Sequence, residues 1–187
     1  LPITEQVTAE GHAVRAVYLY CAIADLANEL QDEPLFQIAD RLFRNIAEQK
    51  VYITGGIGST GNGESFTRPY HLPNATAYAE TCAALGLALF CRRLYAIKPD
   101  SRYADLAERA LYNGMLSGLS LDGTSFFYTN PLEIDLDRRN IRGVPTRITE
   151  RQKVFECSCC PPNLVRLLPS VADFVYTYDD RYLYVHQ

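Results

Sequence analysis

The chain has 187 residues, 48% of them hydrophobic and 21% charged, which is enough for one substantial core and a short piece of a second domain. A formal charge of -4 supplies no basic field, so nucleic acid is not an expected partner. No run of about eighteen apolar residues is present to form a membrane span, and no basic, apolar and small-residue leader opens the chain.

The sequence opens at Leu1 rather than Met and stops at Gln187 within a strand-like pattern, so a fragment of a longer protein is expected. Residues 10 to 30 read as a helix that is apolar nearly all round, with Ala13, Val17, Tyr20, Cys21, Ala24 and Leu26 among Val14, Tyr18, Ala22 and Ile23; such a helix should be buried on most sides. Residues 35 to 48 follow Pro34 with one apolar stripe (Leu35, Ile38, Leu42, Ile46) and one wet face. The alternation repeats in residues 77 to 95, almost wholly apolar, and residues 102 to 117, which return to a single stripe including Tyr103, Leu106 and Leu111. Buried then amphipathic, twice over, is the pattern of an inner and an outer ring of helices. The fold class expected is mainly α, a partial (α/α) barrel with too few helices to close.

Between the second and third helices lies a Gly-rich loop, Thr54 to Asn74, of a length that usually carries function. Residues 119 to 130 read as a hairpin around Asp122-Gly123, and residues 131 to 150 as polar and irregular. A last helix is expected from the Pro161-Pro162 pair through Val171. Phe174 to Tyr178 and Tyr182 to His186 then form two aromatic strands. The expected division is residues 1–173 for the helical domain and 174–187 for the opening of a β-domain.

Two patterns suggest chemistry. Gly56-Ile57-Gly58-Ser59-Thr60-Gly61 matches the dinucleotide GxGxxG formally, but that motif needs a helix to open on the glycines, and here they run on to Gly63-Glu64-Ser65-Phe66 and Pro69. The glycines are better read as admitting backbone close to a ligand. The second pattern is Glu156-Cys157-Ser158-Cys159-Cys160-Pro161-Pro162, which holds three of the six cysteines. Cys157 and Cys160 make a CxxC without the βαβ context of a thioredoxin-like pair. Glu80, Cys82, Cys159 and Cys160 would make a thiolate-rich, four-ligand site of the kind zinc favours. Glu80 and Cys82 are two apart and would diverge on a regular helix, so the helix must start beside them. The lopsided cysteine spacing fits free or liganded thiols in a reducing, cytoplasmic compartment better than a disulfide framework.

In these residues the chain resembles glycoside hydrolase family 127, the β-L-arabinofuranosidases. The resemblance rests on Gly55-Gly56-Ile57-Gly58, Gly63-Glu64-Ser65-Phe66, Leu72-Pro73-Asn74, Tyr78-Ala79-Glu80-Thr81-Cys82 and Cys159-Cys160-Pro161-Pro162-Asn163, extended by Gly11-His12-Ala13-Val14-Arg15 and Phe126-Phe127-Tyr128. It implies an (α/α)6 catalytic barrel followed by β-domains, Zn2+ held by Glu80, Cys82, Cys159 and Cys160, Cys159 as nucleophile and Glu64 as general acid/base. It also implies that His12 and Tyr128 contact the sugar, that the partner is an arabinofuranose-containing glycan, and that β-domains absent from this chain could join a homodimer. Without the resemblance, His12 reads as a core histidine, Glu64 as a solvated loop carboxylate and Tyr128 as a hairpin core aromatic. His71 carries no role, Glu108 belongs to a solvated face, and Cys157 is expected to be buried or to stand behind the ligands. A purely structural zinc domain and a Cys157–Cys160 oxidoreductase are the competing functions. The isolated chain is expected to be inactive or poorly stable, since an incomplete ring exposes its inner surface.

Overall fold

The structure, a computed structural model, describes residues 2–134 and 149–186. Among these it has six α-helices: α1 (Ala13–Leu30), α2 (Glu33–Gln49), α3 (Thr81–Ile97), α4 (Ser101–Arg109), α5 (Cys160–Leu167) and the single turn α6 (Ala172–Val175). A two-stranded antiparallel hairpin, β1 (Tyr176–Tyr178) and β2 (Leu183–Val185), closes the described chain. The polar stretch expected over residues 131 to 150 lies mostly outside the described residues.

Helix boundaries follow local chemistry. Gln31, at φ 51°, ends α1 in the left-handed region, and the Asp32 carboxylate then caps α2 by accepting from Leu35 N at 3.0 Å, with Pro34 in the first turn. Asp100 caps α4 in the same way, accepting from Arg102 N at 2.9 Å. α4 does not simply end: it widens into a π-helical stretch at Ala110–Met115 and tightens into a 3-10 turn at Leu116–Gly118. The widening falls where backbone is pressed against backbone, because Gly114 lies on Ala84 of α3 and Gly55 lies on Ala110.

The core is built on α3, which is buried at Thr81 through Ala88 and again at Phe90, Cys91 and Leu94. α1 packs along it; Gly86 lets the two helices approach so closely that a Cβ there would lie 2.5 Å from Val17 Cγ2. α1 is less enclosed than its composition suggests. Ala13, Val17, Tyr20 and Ala24 are buried, whereas Leu19, Leu26 and Leu30 are more than half exposed, because no described element covers that stripe. α2 and α4 carry single apolar faces as expected, joined by an edge-on contact of Phe43 with Tyr103 and by the Tyr103 hydroxyl donating to Asp40 at 2.6 Å. Glu108 is exposed, on the wet side of α4.

The strand expected from Phe174 begins two residues later, since Phe174 turns inward within α6 and is buried. Asp179 holds the hairpin turn, accepting from Arg181 N, Tyr182 N and the Tyr184 hydroxyl at 2.7–2.8 Å. At the other hairpin, Leu119 bridges Phe126 around an Asp122-centred turn, and Phe126 also pairs with Gln152.

Gly55 ties the long loop to the helices. Its φ is +83°, and a Cβ there would lie 2.7 Å from Ala110 N and 2.8 Å from Ala110 Cα. Gly55→Ala should therefore destabilise the fold by about 2 kcal/mol or more, read as a lowered urea midpoint; an unchanged midpoint would show that the loop is not anchored there.

Candidate metal centre and active site

Three helices begin at one place, and the residues at their starts do not cap them. His12 is the N-cap of α1, Glu80 of α3 and Cys159 of α5, and none of the three side chains caps a backbone N–H of its own helix. Asp32 and Asp100 cap in the ordinary manner, so the contrast is local. The three uncapping side chains turn instead toward a common space.

Glu80, Cys82, Cys159 and Cys160 place one ligand atom each within 4.8 Å of one another. Cys82 Sγ is 3.3 Å from Cys159 Sγ and 3.4 Å from Cys160 Sγ; Cys159 and Cys160 are 3.8 Å apart, and Cys159 Sγ is 3.3 Å from Glu80 Oε1. All are free thiols. The helix does start between Glu80 and Cys82: Glu80 is extended, at φ -60° and ψ 137°, so its side chain escapes the angular divergence of a regular helix.

The local backbone explains that start. Gly58 O accepts both Tyr78 N and Ala79 N, at 3.1 and 2.9 Å, and Ala79 is forced to φ 39°. On the other side, residues 127–130 run antiparallel beside 78–81: Glu80 bridges Thr129, Thr81 N donates to Tyr128 O, and Asn130 Nδ2 donates to Ala79 O and Thr81 Oγ1 at 3.0 Å each. This pairing brings the Tyr128 hydroxyl to 3.4 Å from Cys159 Sγ.

The long loop forms the other wall. It contains no α-helix opening on its glycines, only a 3-10 turn at Asn62–Glu64, which removes the dinucleotide reading. Ser65 bridges both Thr60 and His12, and Phe66 N donates to Gly11 O at 2.9 Å. Glu64 is held at φ 51°, a costly conformation for a residue with a Cβ, and its Oε2 meets His12 Nε2 at 3.0 Å. Ala9, three residues before His12, is clamped by Asn45 Oδ1 and by the buried Lys50, whose Nζ donates to Ala9 O at 2.6 Å. Glu80 also lies within 4.8 Å of ligand atoms of His12 and Glu64 and so belongs to both clusters.

Burial separates the two carboxylates. Glu80 is 3% exposed, and its Oε2 is buried without a hydrogen-bond partner. The side chains of His12 and Glu64 are 24% and 31% exposed, so water reaches them. Burial, followed by the neighbouring Cys159, pushes the Glu80 carboxyl up to about 9. Hydrogen bonds from Cys160 and Cys82, then Tyr128, hold the Cys159 thiol well below its usual range; Cys159 in turn pushes the Cys82 and Cys160 thiols up. Burial and then Cys159 keep the Tyr128 hydroxyl protonated, and burial followed by Glu64 does the same for Tyr78.

That donor set fits a soft divalent metal. A tetrahedron with bonds of about 2.3 Å to sulfur has edges of about 3.8 Å, close to the separations observed, and the unpartnered Glu80 Oε2 has unmet acceptor capacity.

The profile of the β-L-arabinofuranosidase GH127 catalytic domain matches residues 1–173. The chain belongs to the GH127 β-L-arabinofuranosidase family. It is 41% identical over 179 residues to a non-reducing end β-L-arabinofuranosidase of Bifidobacterium longum subsp. longum, covering 96% of this chain and 27% of that protein. It superposes with a TM-score of 0.93 and 48% identity on the crystal structure of a GH127 β-L-arabinofuranosidase from Geobacillus stearothermophilus T6, over all of this chain and 29% of that one. The GH127 β-arabinofuranosidase BT3674 gives 0.91 and 44%, over all of this chain and 28% of that one. This GH127 chain thus spans between a quarter and a third of the length of these relatives.

Among the described residues, the structure brings the predicted Glu64, Glu80, Cys82, Cys159, Cys160, His12 and Tyr128 together. Cys157 is exposed rather than buried. Cys160 is fully buried against Cys82 and Cys159, so Cys157 and Cys160 do not stand as an isolated redox couple. His71 bonds Thr67, which bonds Ser59, and so braces the loop. Sequence reasoning missed Tyr78 and Asn163, which lie inside the motifs yet were given no part, and Asn130, which no local pattern marks.

Glu80, Cys82 and Cys160 are all pushed up, so metal binding by this cluster near pH 7 should release protons and strengthen as pH rises. Calorimetry in buffers of different ionisation enthalpy checks this, and a release near zero would refute the charge assignment.

Proposed function

We propose that this chain carries the catalytic centre of a retaining glycoside hydrolase that releases L-arabinofuranose, or a similar sugar, from β-linked glycans. The observation that supports it most is the pairing of a buried Cys3Glu cluster with a water-accessible His12–Glu64 pair around one shared residue, Glu80. Family membership supplies the substrate class. The fold reading that goes with it is part of an (α/α)6 barrel over residues 1–173, with residues 174–187 as the first strands of a β-domain. The uncovered Leu19 and Leu26 of α1, and Tyr178 and Leu183 of the hairpin at 84% and 66% exposure, are surfaces that further helices and strands would bury.

In this reading Glu80, Cys82, Cys159 and Cys160 hold Zn2+. When bound, the ion would keep the sulfurs deprotonated without a base and lower the charge they must bear alone. Cys159 is the half-exposed sulfur and has the Tyr128 hydroxyl beside it, so it is the one a sugar can reach. Its sulfur attacks the anomeric carbon, the bond from that carbon to the leaving oxygen breaks, and Glu64 gives that oxygen a proton. Glu64, now ionised, takes a proton from water; the water oxygen attacks the anomeric carbon, and the electron pair of the carbon–sulfur bond returns to Cys159. Two displacements retain configuration, with a thiolate where two-carboxylate enzymes use a second acid. His12 orients Glu64 through its 3.0 Å contact and, with Tyr128, lines the sugar position.

A structural zinc site would need none of the solvent access seen at Glu64. In the full-length protein, Cys159→Ser should abolish hydrolysis of an activated aryl β-L-arabinofuranoside, and Glu64→Gln should lower kcat by about 10²-fold or more. Parent-level rates in both variants would refute the mechanism. Zinc-edge X-ray absorption should show about three sulfurs and one oxygen, and a nitrogen- or oxygen-only shell would refute the ligand set.

A further inference from the structure

We propose that Asn163, held by Tyr18 and Arg166, is a positioning residue that donates a fixed N–H to the Cys82 sulfur, making Cys82 the anchoring thiolate and leaving Cys159 as the reactive one. This rests on the reading of the cluster as a metal–thiolate centre.

Asn163 Nδ2 lies 3.1 Å from Cys82 Sγ. The orientation of the amide follows from its other contacts. Its Oδ1 receives the Tyr18 hydroxyl at 3.2 Å and Arg166 Nη2 at 2.6 Å, and an arginine can only donate. The NH2 group must therefore face the sulfur, which as a metal-bound thiolate could only accept. Arg166 Nη2 also donates to the Tyr18 hydroxyl at 2.7 Å, and its guanidinium lies over the Tyr18 ring at 5.8 Å. The triad thus closes on itself and ties α1 to α5.

The start of α5 explains why a side chain is needed. The first turn of a helix ordinarily offers backbone N–H groups to an anion. Here Pro161 and Pro162 have none, and Asn163 N is taken by Cys159 O at 3.3 Å. The side-chain amide of Asn163 supplies the donor that the prolines remove. An N–H bond to a metal-bound thiolate draws electron density from the sulfur and orients it. Of the three sulfurs, Cys82 is damped in this way and Cys160 is fully buried, whereas Cys159 is reachable.

The test uses the full-length protein loaded with cobalt(II) in place of zinc. Asn163→Leu keeps the approximate volume and removes the donor; Arg166→Met, at an exposed position, loosens the amide without touching the sulfur. Asn163→Leu should shift the sulfur-to-cobalt charge-transfer band to lower energy and speed metal loss to a chelator about 10- to 100-fold, and Arg166→Met should move both in the same direction by less. If Asn163→Leu is too unstable to load, the Arg166→Met shift alone carries the result. Parent band energies and metal-loss rates in the loaded variants would overturn the proposal. A parent protein with no sulfur-to-cobalt band would instead overturn the metal reading, and this proposal with it.

Discussion

The site depends on helix starts that are left uncapped. A helix end leaves backbone donors unsatisfied and carries partial positive charge, and most helices meet that need with a short side chain of their own. α2 and α4 do so with Asp32 and Asp100. α1, α3 and α5 present His12, Glu80 and Cys159 instead, and aim three positive helix ends at the space where sulfur and carboxylate charge gathers. Local helix stability is given up at three points so that ligands from segments nearly eighty residues apart can meet.

Holding those starts together requires loop backbone in conformations that cost energy. Ala79 and Glu64 both have positive φ, and each is over-determined by its surroundings. The Gly58 carbonyl takes two consecutive amides from residues 78 and 79, while Asn130 pins the same strand from the opposite side. Glu64 is caught between a 3-10 turn and the Ser65 bridges to Thr60 and His12. Lys50 adds a clamp at a distance: its buried ammonium on Ala9 O fixes the approach to Gly11 and His12. The loop is therefore part of the site's rigid frame.

Much of this was legible in the sequence because it concerned residue types with few uses. Three thiols and two prolines in six positions, with a Glu and a Cys two apart, point to a cluster able to hold a metal, and the helical divergence rule places a helix start between Glu80 and Cys82. The rejection of the glycine fingerprint also came from order alone, since no helix could follow before Pro69. What stayed hidden depended on tertiary neighbours. Asn163, Tyr18 and Arg166 are ordinary residues until α1 lies beside α5, and Asn130 looks like any turn residue. The π-helical widening after α4 comes from contact with Gly55 and Ala84, which no periodicity in residues 102 to 117 encodes. The exposure of Cys157 and the inward turn of Phe174 likewise reflect which side of a short segment faces the core. The apolar stripe of α1 suggested burial correctly in chemistry, but no described element lies on its Leu19–Leu26 side.

Two glutamates of the same intrinsic acidity stand in this site, and their environments give them different work. Glu80 is enclosed, short of one hydrogen-bond partner, and 3.3 Å from the Cys159 sulfur, so its ionised form calls for a cation beside it. Glu64 sits on a loop, a third exposed, with an imidazole at 3.0 Å that can brace it without burying it. A carboxyl group that exchanges protons with water needs access to it, and of the two only Glu64 has it. The difference between the two carboxylates is thus set by backbone placement, at a helix start for one and on a strained loop for the other.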